Sequence, residues 1–201
     1  MEKNIEINIF GSSIEYATFF TYIKDKYKVP KIVRDCIQFL EESGLENIGL
    51  YRISGSTIKV RNIKQKYNSY SFKKINLKLE NLDVNDVSAL LKSYFRSLSD
   101  GFIPREILSY LEQAINICSD SNKNMIKLVR YYLFFLPEST FCTLGWLLKH
   151  LRKIAIKSMD NKMSYENIIT IFSPCLNIPP NILMKLVRFS EEIFPENEIQ
   201  R

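Results

Sequence analysis

Only one histidine, His150, occurs in the 201 residues. A histidine-rich metal site, or a catalytic triad with a second histidine to spare, is therefore excluded. His150 falls between Lys149 and Leu151 in a helical pattern, where a surface position is expected. No CxxC spacing is present either: Cys36, Cys118, Cys142 and Cys175 are far apart, each within an apolar helical pattern. That distribution argues against a zinc site or redox pair and for four buried free thiols in a reducing compartment. No run of about 18 apolar residues appears, so no membrane span is encoded. The opening Met1 to Phe10 mixes Glu2, Lys3 and Glu6 with apolar residues and lacks the basic start and unbroken apolar core of a signal peptide. A cytoplasmic location is the expectation. GxxxxGK[ST] and GxGxxG loops are missing as well, so the chain is expected to bind no nucleotide by itself.

What remains is a chain with 46% hydrophobic and 25% charged residues, the balance of one soluble domain with a sizeable core. The net charge of +6 is compatible with an acidic protein surface, anionic lipid or nucleic acid, and alone selects none of them. Apolar spacing of three and four dominates, strand-like alternation is scarce, and no repeat or linker interrupts the pattern. The expected fold class is all-α, a single multi-helix bundle.

Helices are predicted over about 14–26, from Pro30 to a left-handed stop at Gly44, and over 57–70 behind a Ser56 cap. Residues 69–81 read as a basic loop. Asp83 caps a helix over about 84–98, whose Val84, Val87, Leu90, Leu91, Tyr94, Phe95 and Leu98 form a wide apolar face. Further helices are predicted from Pro104 to Cys118, over 123–136, 140–157, from Ser164 to about Leu176, and over 181–194.

One loop carries chemistry. In Gly49-Leu50-Tyr51-Arg52-Ile53-Ser54-Gly55-Ser56 a single cation sits among apolar residues between two glycines, which permit a tight, fixed turn. Leu50, Tyr51 or Ile53 can anchor the loop while Arg52 projects. A guanidinium is always charged and offers five donors in a planar fork that matches phosphate oxygens. The alternative is a structural arginine paired with Glu46 or Asp86. On the helix after Asp83, Lys92 and Arg96 are four apart and share a face, without an acid at Ser88 to offset them. They form either a solvated face or a cationic patch beside the loop. Asn167, in the first turn after Ser164, reads as capping chemistry or a solvent-facing side chain.

In this order, these segments resemble the RhoGAP family from about residue 9 to 195. The resemblance is carried by Phe10-Gly11, Val29-Pro30, Cys36, Phe39-Leu40-Glu41, Gly44-Leu45 and the run Gly49 to Ser56. It continues through Asp83, Leu90-Leu91-Lys92, Arg96, Leu136-Pro137-Glu138, Asn161, Met163, Ser164, Asn167 and Phe172-Ser173-Pro174. It implies a single RhoGAP-like domain over 1–201, acting as a GTPase-activating protein for a Rho- or Rac-type small GTPase. Such a protein is an activator rather than an enzyme in its own right. By position, Arg52 matches the family's catalytic arginine finger. Lys92 and Arg96 match its two basic residues at the finger loop and GTPase contact, and Asn167 its asparagine at the GTPase interface. No metal or cofactor is implied, since GTP and Mg²⁺ are carried by the partner GTPase in its GTP-bound state. A monomer is expected, with a weak anionic membrane contact as a further expectation and no nucleic acid.

The chain departs from the family pattern at Ile48 (usually an acid), Asn85 (usually His), Leu98-Ser99-Asp100-Gly101, Ser173 and Cys175. None of these removes a matched position; they bear on partner choice. Two other functions remain open at this point. One is a GTPase-binding module of the same fold without catalysis. The other is a basic domain binding anionic lipid or nucleic acid through Lys59, Arg61, Lys64, Lys66, Lys73, Lys74 and Lys78.

Overall fold

The computed structural model describes residues 7–25, 27–69, 74–99, 101–118 and 121–199. Among these, every regular element is helical. In chain order the helices are α1 (Ile14–Asp25), α2 (Lys31–Ser43), α3 (Thr57–Tyr67), α4 (Val84–Arg96), α5 (Arg105–Ile117), α6 (Asn122–Leu133) and α7 (Glu138–Ile156). They continue with α8 (Ser158–Asn161), α9 (Tyr165–Leu176), α10 (Pro180–Arg188), α11 (Ser190–Ile193) and α12 (Glu196–Ile199). None of the described helices is long and apolar enough to cross a membrane.

Two helices organise the rest. α7 touches α1, α2, α8, α9, α10, α11 and α12, and α4 packs against α2, α3 and α9. Both are buried on broad faces because their apolar residues recur every three or four positions: Val87, Leu90, Leu91, Tyr94 and Phe95 on α4, Leu144, Leu147, Leu148, Leu151 and Ile154 on α7. The N-terminus of α4 is closed by a reciprocal cap, in which Asp83 accepts from Asp86 N and Asp86 accepts from Asp83 N. Gly145 lets the C-terminal segment lie directly on α7. A β-carbon there would stand 2.9 Å from Ile199 Cγ2 and 3.0 Å from Phe194 Cδ1.

Several expectations are corrected. Gly44 is not left-handed (φ −126°); it is small because a β-carbon would meet Val84 Cγ1 at 2.9 Å, so the requirement is close approach of α2 to α4. The helix expected over 181–194 breaks at Phe189. There the chain turns so that Ile193 and Phe194 enter the core, a choice that local periodicity does not contain. The helix predicted over 57–70 stops at Tyr67, and the basic loop after it includes a 3₁₀ turn at Leu77–Leu79. Cys36, Cys142 and Cys175 are buried free thiols, but Cys118, at the open end of α5, is only half-buried. His150 is fully buried rather than on the surface. Glu2, Lys3, Glu6, Lys73 and Asp100 lie outside the described residues.

Gly55, in the loop between α2 and α3, packs as tightly against the start of α4. Its β-carbon would lie 2.6 Å from Asn85 O and from Asp86 Cα, which are backbone atoms that cannot rotate away. Gly55→Ala is expected to destabilise the fold by about 1–3 kcal/mol, as other overpacked sites do. Urea unfolding of the variant checks this.

Candidate functional site

The segment after α2 is wound by two left-handed residues, Gly49 (φ +75°) and Tyr51 (φ +69°). This winding lets both Arg52 N (2.8 Å) and Ile53 N (3.0 Å) donate to Gly49 O. Glycine takes that conformation freely, whereas a tyrosine in it stores about 1–3 kcal/mol of strain. Such a conformation persists only if its surroundings over-determine it, and here they do.

Four anchors hold the turn. Gly49 N donates to Asn161 O at 2.8 Å. The Tyr51 ring, fully buried, packs edge-on against Phe172 with centroids 4.8 Å apart. The Tyr51 hydroxyl meets His150 Nε2 at 2.8 Å. From the other side Lys92 Nζ donates to Tyr51 O. Leu50 and Tyr51 thus serve as the core anchors, while Ile53 is exposed.

Behind Tyr51 runs a polar chain. His150 Nδ1 lies 3.2 Å from Glu41 Oε1, and Lys153 Nζ reaches Glu41 Oε2 at 2.7 Å. A carboxylate only accepts, so Nδ1 carries the proton and donates to Glu41. Nε2 then accepts from the Tyr51 hydroxyl. Burial pushes the His150 pKa down, and Glu41 only partly offsets it, which keeps the imidazole neutral. Burial works against the Glu41 charge, but the donors His150 and Lys153 outweigh it and hold the carboxyl below its ordinary range.

This arrangement has a stability consequence. The unfolded histidine takes up its proton at about pH 6.5. The buried one resists until a lower pH, so the unfolded state binds more protons in between. Stability is intact above that value and is lost progressively as the pH falls through the unfolded value towards the folded one. The loss should reach up to about 1.4 kcal/mol per pH unit across the window. His150→Gln is expected to flatten that slope, read by urea unfolding at pH 7.5 and at pH 5.5, the latter still above the ordinary carboxylate range.

At the tip, Arg52 is exposed, and its side chain has no hydrogen bond or ion pair among the described residues; its Nη2 lies back over Gly49. Neither suspected carboxylate holds it. Glu46 pairs with Lys157 at 2.7 Å. Asp86 is buried, accepts from Ser56 N at 2.7 Å, and pairs with Lys59 at 3.2 Å. Burial opposes the Asp86 charge, yet these bonds and the one from Asp83 N keep its pKa below the usual value. Exposed isoleucines flank the tip in sequence: Ile48, Ile53 and Ile58.

The other expected residues are placed unequally. Lys92 is half-buried against the loop, and desolvation, aided by the charge of Arg96, lowers its pKa. Arg96 stands one turn further along α4, exposed and without a partner among the described residues. Among the described residues no hydrogen bond or ion pair joins its side chain to the loop. Asn167 is exposed at the start of α9, where its backbone N–H donates to Ser164 Oγ and its side chain donates to Lys162 O at 3.2 Å. It therefore braces the segment that carries Asn161.

Asn161 itself is the residue that sequence reasoning underrated. Fully buried, it donates to Leu45 O (2.8 Å) and Ile154 O (2.9 Å) and accepts from Met163 N (2.8 Å). One side chain thereby joins the end of α2, the end of α7 and the start of α9 beneath the Arg52 loop. Its signal was a lone asparagine before Met163 and Ser164, indistinguishable by itself from a polar turn residue.

Among the departures from the family pattern, Ser173 donates to Ile178 O at 2.7 Å and Cys175 to Ile171 O at 3.0 Å, so both close the end of α9 internally. Much of the supposed basic patch is neutralised at home. Lys59 pairs with Asp86, Lys66 with Glu80 and Lys78 with Glu42, while Lys64 donates to Ser93 Oγ at 3.1 Å.

The model of the RhoGAP domain matches residues 30–181, a span that includes Arg52, Lys92, Arg96 and Asn167. The chain belongs to the RhoGAP family. This RhoGAP domain is 32% identical over 180 residues to the active breakpoint cluster region-related protein of Xenopus tropicalis, an alignment covering 90% of this chain and 20% of that protein. To the human breakpoint cluster region protein it is 31% identical over 186 residues, 92% of this chain and 14% of the relative. The chain therefore spans a fifth or less of the length of these two relatives. Its all-α fold also matches the crystal structure of human Rho GTPase activating protein 15. There the TM-score is 0.81 at 26% identity, over 94% of this chain and 93% of the other.

Proposed function

We propose that this RhoGAP domain stimulates GTP hydrolysis by a Rho- or Rac-type small GTPase through Arg52, inserted in trans into the partner's active site. The observation that carries the reading is an unpaired guanidinium at the tip of a turn whose backbone is clamped from both sides. A guanidinium held without internal partners costs no ion pair when it moves onto phosphate oxygens. The clamp supplies preorganisation, so little reorganisation is needed as charge develops on the transferring phosphoryl group.

In this reading Lys92 is a positioning residue acting on Tyr51 O, and Asn167 faces the GTPase while bracing the Lys162 segment. Arg96 meets the partner directly rather than holding the loop. The exposed isoleucines would supply the apolar part of the contact, with phosphate recognition left to Arg52. Nucleotide and Mg²⁺ stay with the partner, and the domain contributes one side chain and a shape. Internal pairing of the lysines around α3 leaves little free charge for a nucleic-acid backbone and favours a protein partner over that alternative.

The test is single-turnover GTP hydrolysis by a panel of purified Rho, Rac and related GTPases, with and without the domain. An acceleration of about 10³–10⁵ is expected for the cognate member. Tight binding to a GTP-loaded GTPase with no acceleration across the panel would leave the non-catalytic module as the correct description.

A further inference from the structure

The far end of the molecule carries a feature that the GTPase site does not use. Along α6 and the turn after it, Lys123, Lys127, Tyr131 and Phe135 are spaced by four and are all exposed, forming one outward stripe. The stripe ends at the corner between α6 and α7, where Phe134 is 83% and Phe135 63% exposed. Tyr131 (59%) packs edge-on against Phe135, and Tyr110 of α5 (47%) stacks on Tyr132 behind it. Single exposed aromatics are ordinary; a cluster at one corner is not.

Charge points to the kind of surface that covers it. Residues 122–137 contain no Asp or Glu but hold Lys123, Lys127 and Arg130. Arg130 is engaged with Glu198 and backbone carbonyls of α11, whereas neither lysine pairs with an acid among the described residues. At the corner two phenylalanines stand exposed on a turn. An exposed aromatic tip, backed on the same stripe by free lysines at steps of about 6 Å, matches a soft boundary with apolar depth and anionic headgroups. Lysine stems run along the apolar surface while their ammonium groups stay at headgroup level.

We infer that the α6 stripe and its Phe134–Phe135 corner form a docking surface for an anionic lipid membrane. The corner adjoins the first turn of α7, and the finger loop is tied to His150 and to Asn161, near and beyond the other end. The helix between them is roughly 28 Å long. The finger loop is therefore tied to parts of the chain other than the first turn of α7, which adjoins the corner. The inference does not depend on the proposed GTPase activity, because vesicle binding is read without a GTPase.

The experiment is co-sedimentation of the intact chain with phosphatidylcholine vesicles, with and without phosphatidylserine. Binding is expected only to the anionic vesicles. Lys123→Gln and Lys127→Gln should each weaken it about fivefold, and salt should weaken it further. Phe134→Ser with Phe135→Ser should weaken it at least tenfold. Both phenylalanines are exposed, so thermal unfolding should change little in the double variant. Should that variant nonetheless misfold, Phe134→Trp gives a second reading: its emission should shift to the blue on anionic vesicles, beyond any response of the wild-type Trp146. Equal binding to neutral vesicles, no binding at low salt, or no blue shift overturns the proposal. So does concentration-dependent dimerisation abolished by the double serine variant, which would assign the corner to a second copy of the chain.

Discussion

Arg52→Ala is expected to remove about 10³–10⁵-fold of GTPase stimulation, close to all of it, while leaving the fold and the affinity for the GTP-loaded partner largely intact. On the barrier this corresponds to about 4–7 kcal/mol. Stability should not change, because the Arg52 side chain has no hydrogen bond or ion pair among the described residues and is exposed. Arg52→Lys should lose nearly as much. Lysine keeps the charge but replaces a planar fork, able to bridge two phosphate oxygens, with a point charge on a flexible stem. Single-turnover hydrolysis gives the rate, and equilibrium binding of the GTP-loaded GTPase gives the affinity. Full stimulation by the alanine variant would falsify the finger assignment. A parallel collapse of binding and rate would reduce Arg52 to a docking residue.

Asn161→Ala should show the opposite profile, a large stability loss with catalysis failing as a consequence. The side chain satisfies Leu45 O, Ile154 O and Met163 N, all at normal hydrogen-bond distances in a fully buried setting. Ile154 O keeps its bond from Lys157 N, so removal orphans Leu45 O and Met163 N at about 1–3 kcal/mol each, a total of about 2–6 kcal/mol. Because Gly49 N rests on Asn161 O, the remaining folded protein should hold the turn less firmly. Denaturant unfolding gives the first quantity. GTPase stimulation, measured well below the unfolding midpoint, gives the second. Asn161→Asp sharpens the reading: it keeps the acceptor for Met163 N but removes both donations and adds a buried charge. An unfolding midpoint unchanged in the alanine variant would show that these bonds do not hold the loop.

Most of the helices were legible because burial of one face imposes a spacing of three and four that survives in the linear chain. α2, α4, α5 and α9 fall close to where their apolar stripes and caps place them. Boundaries failed where tertiary packing overrode the local pattern. Residues 181–194 look like one helix, yet the chain breaks at Phe189 so that Ile193 and Phe194 reach the core. His150 was misplaced for a related reason. Between Lys149 and Leu151 it looks solvated, but Glu41 and Tyr51, 109 and 99 residues away, make its burial tolerable by satisfying both ring nitrogens.

Arg52 stood out in the sequence as a lone cation in an apolar, glycine-bounded run, and Lys92 and Arg96 as like charges sharing a helical face. Composition and motif content also determined that the chain is helical, that it lacks its own nucleotide loop, and which family pattern it follows. Such features are local, so residue type and spacing carry them. Only the tertiary structure decided that Glu46 and Asp86 have other partners and leave Arg52 free. It alone decided that Tyr51 sits strained and clamped between His150, Phe172 and Lys92, and that Asn161 ties three elements under the loop. Those facts depend on which distant groups meet in three dimensions. A hydrogen bond across a hundred residues leaves no periodicity behind.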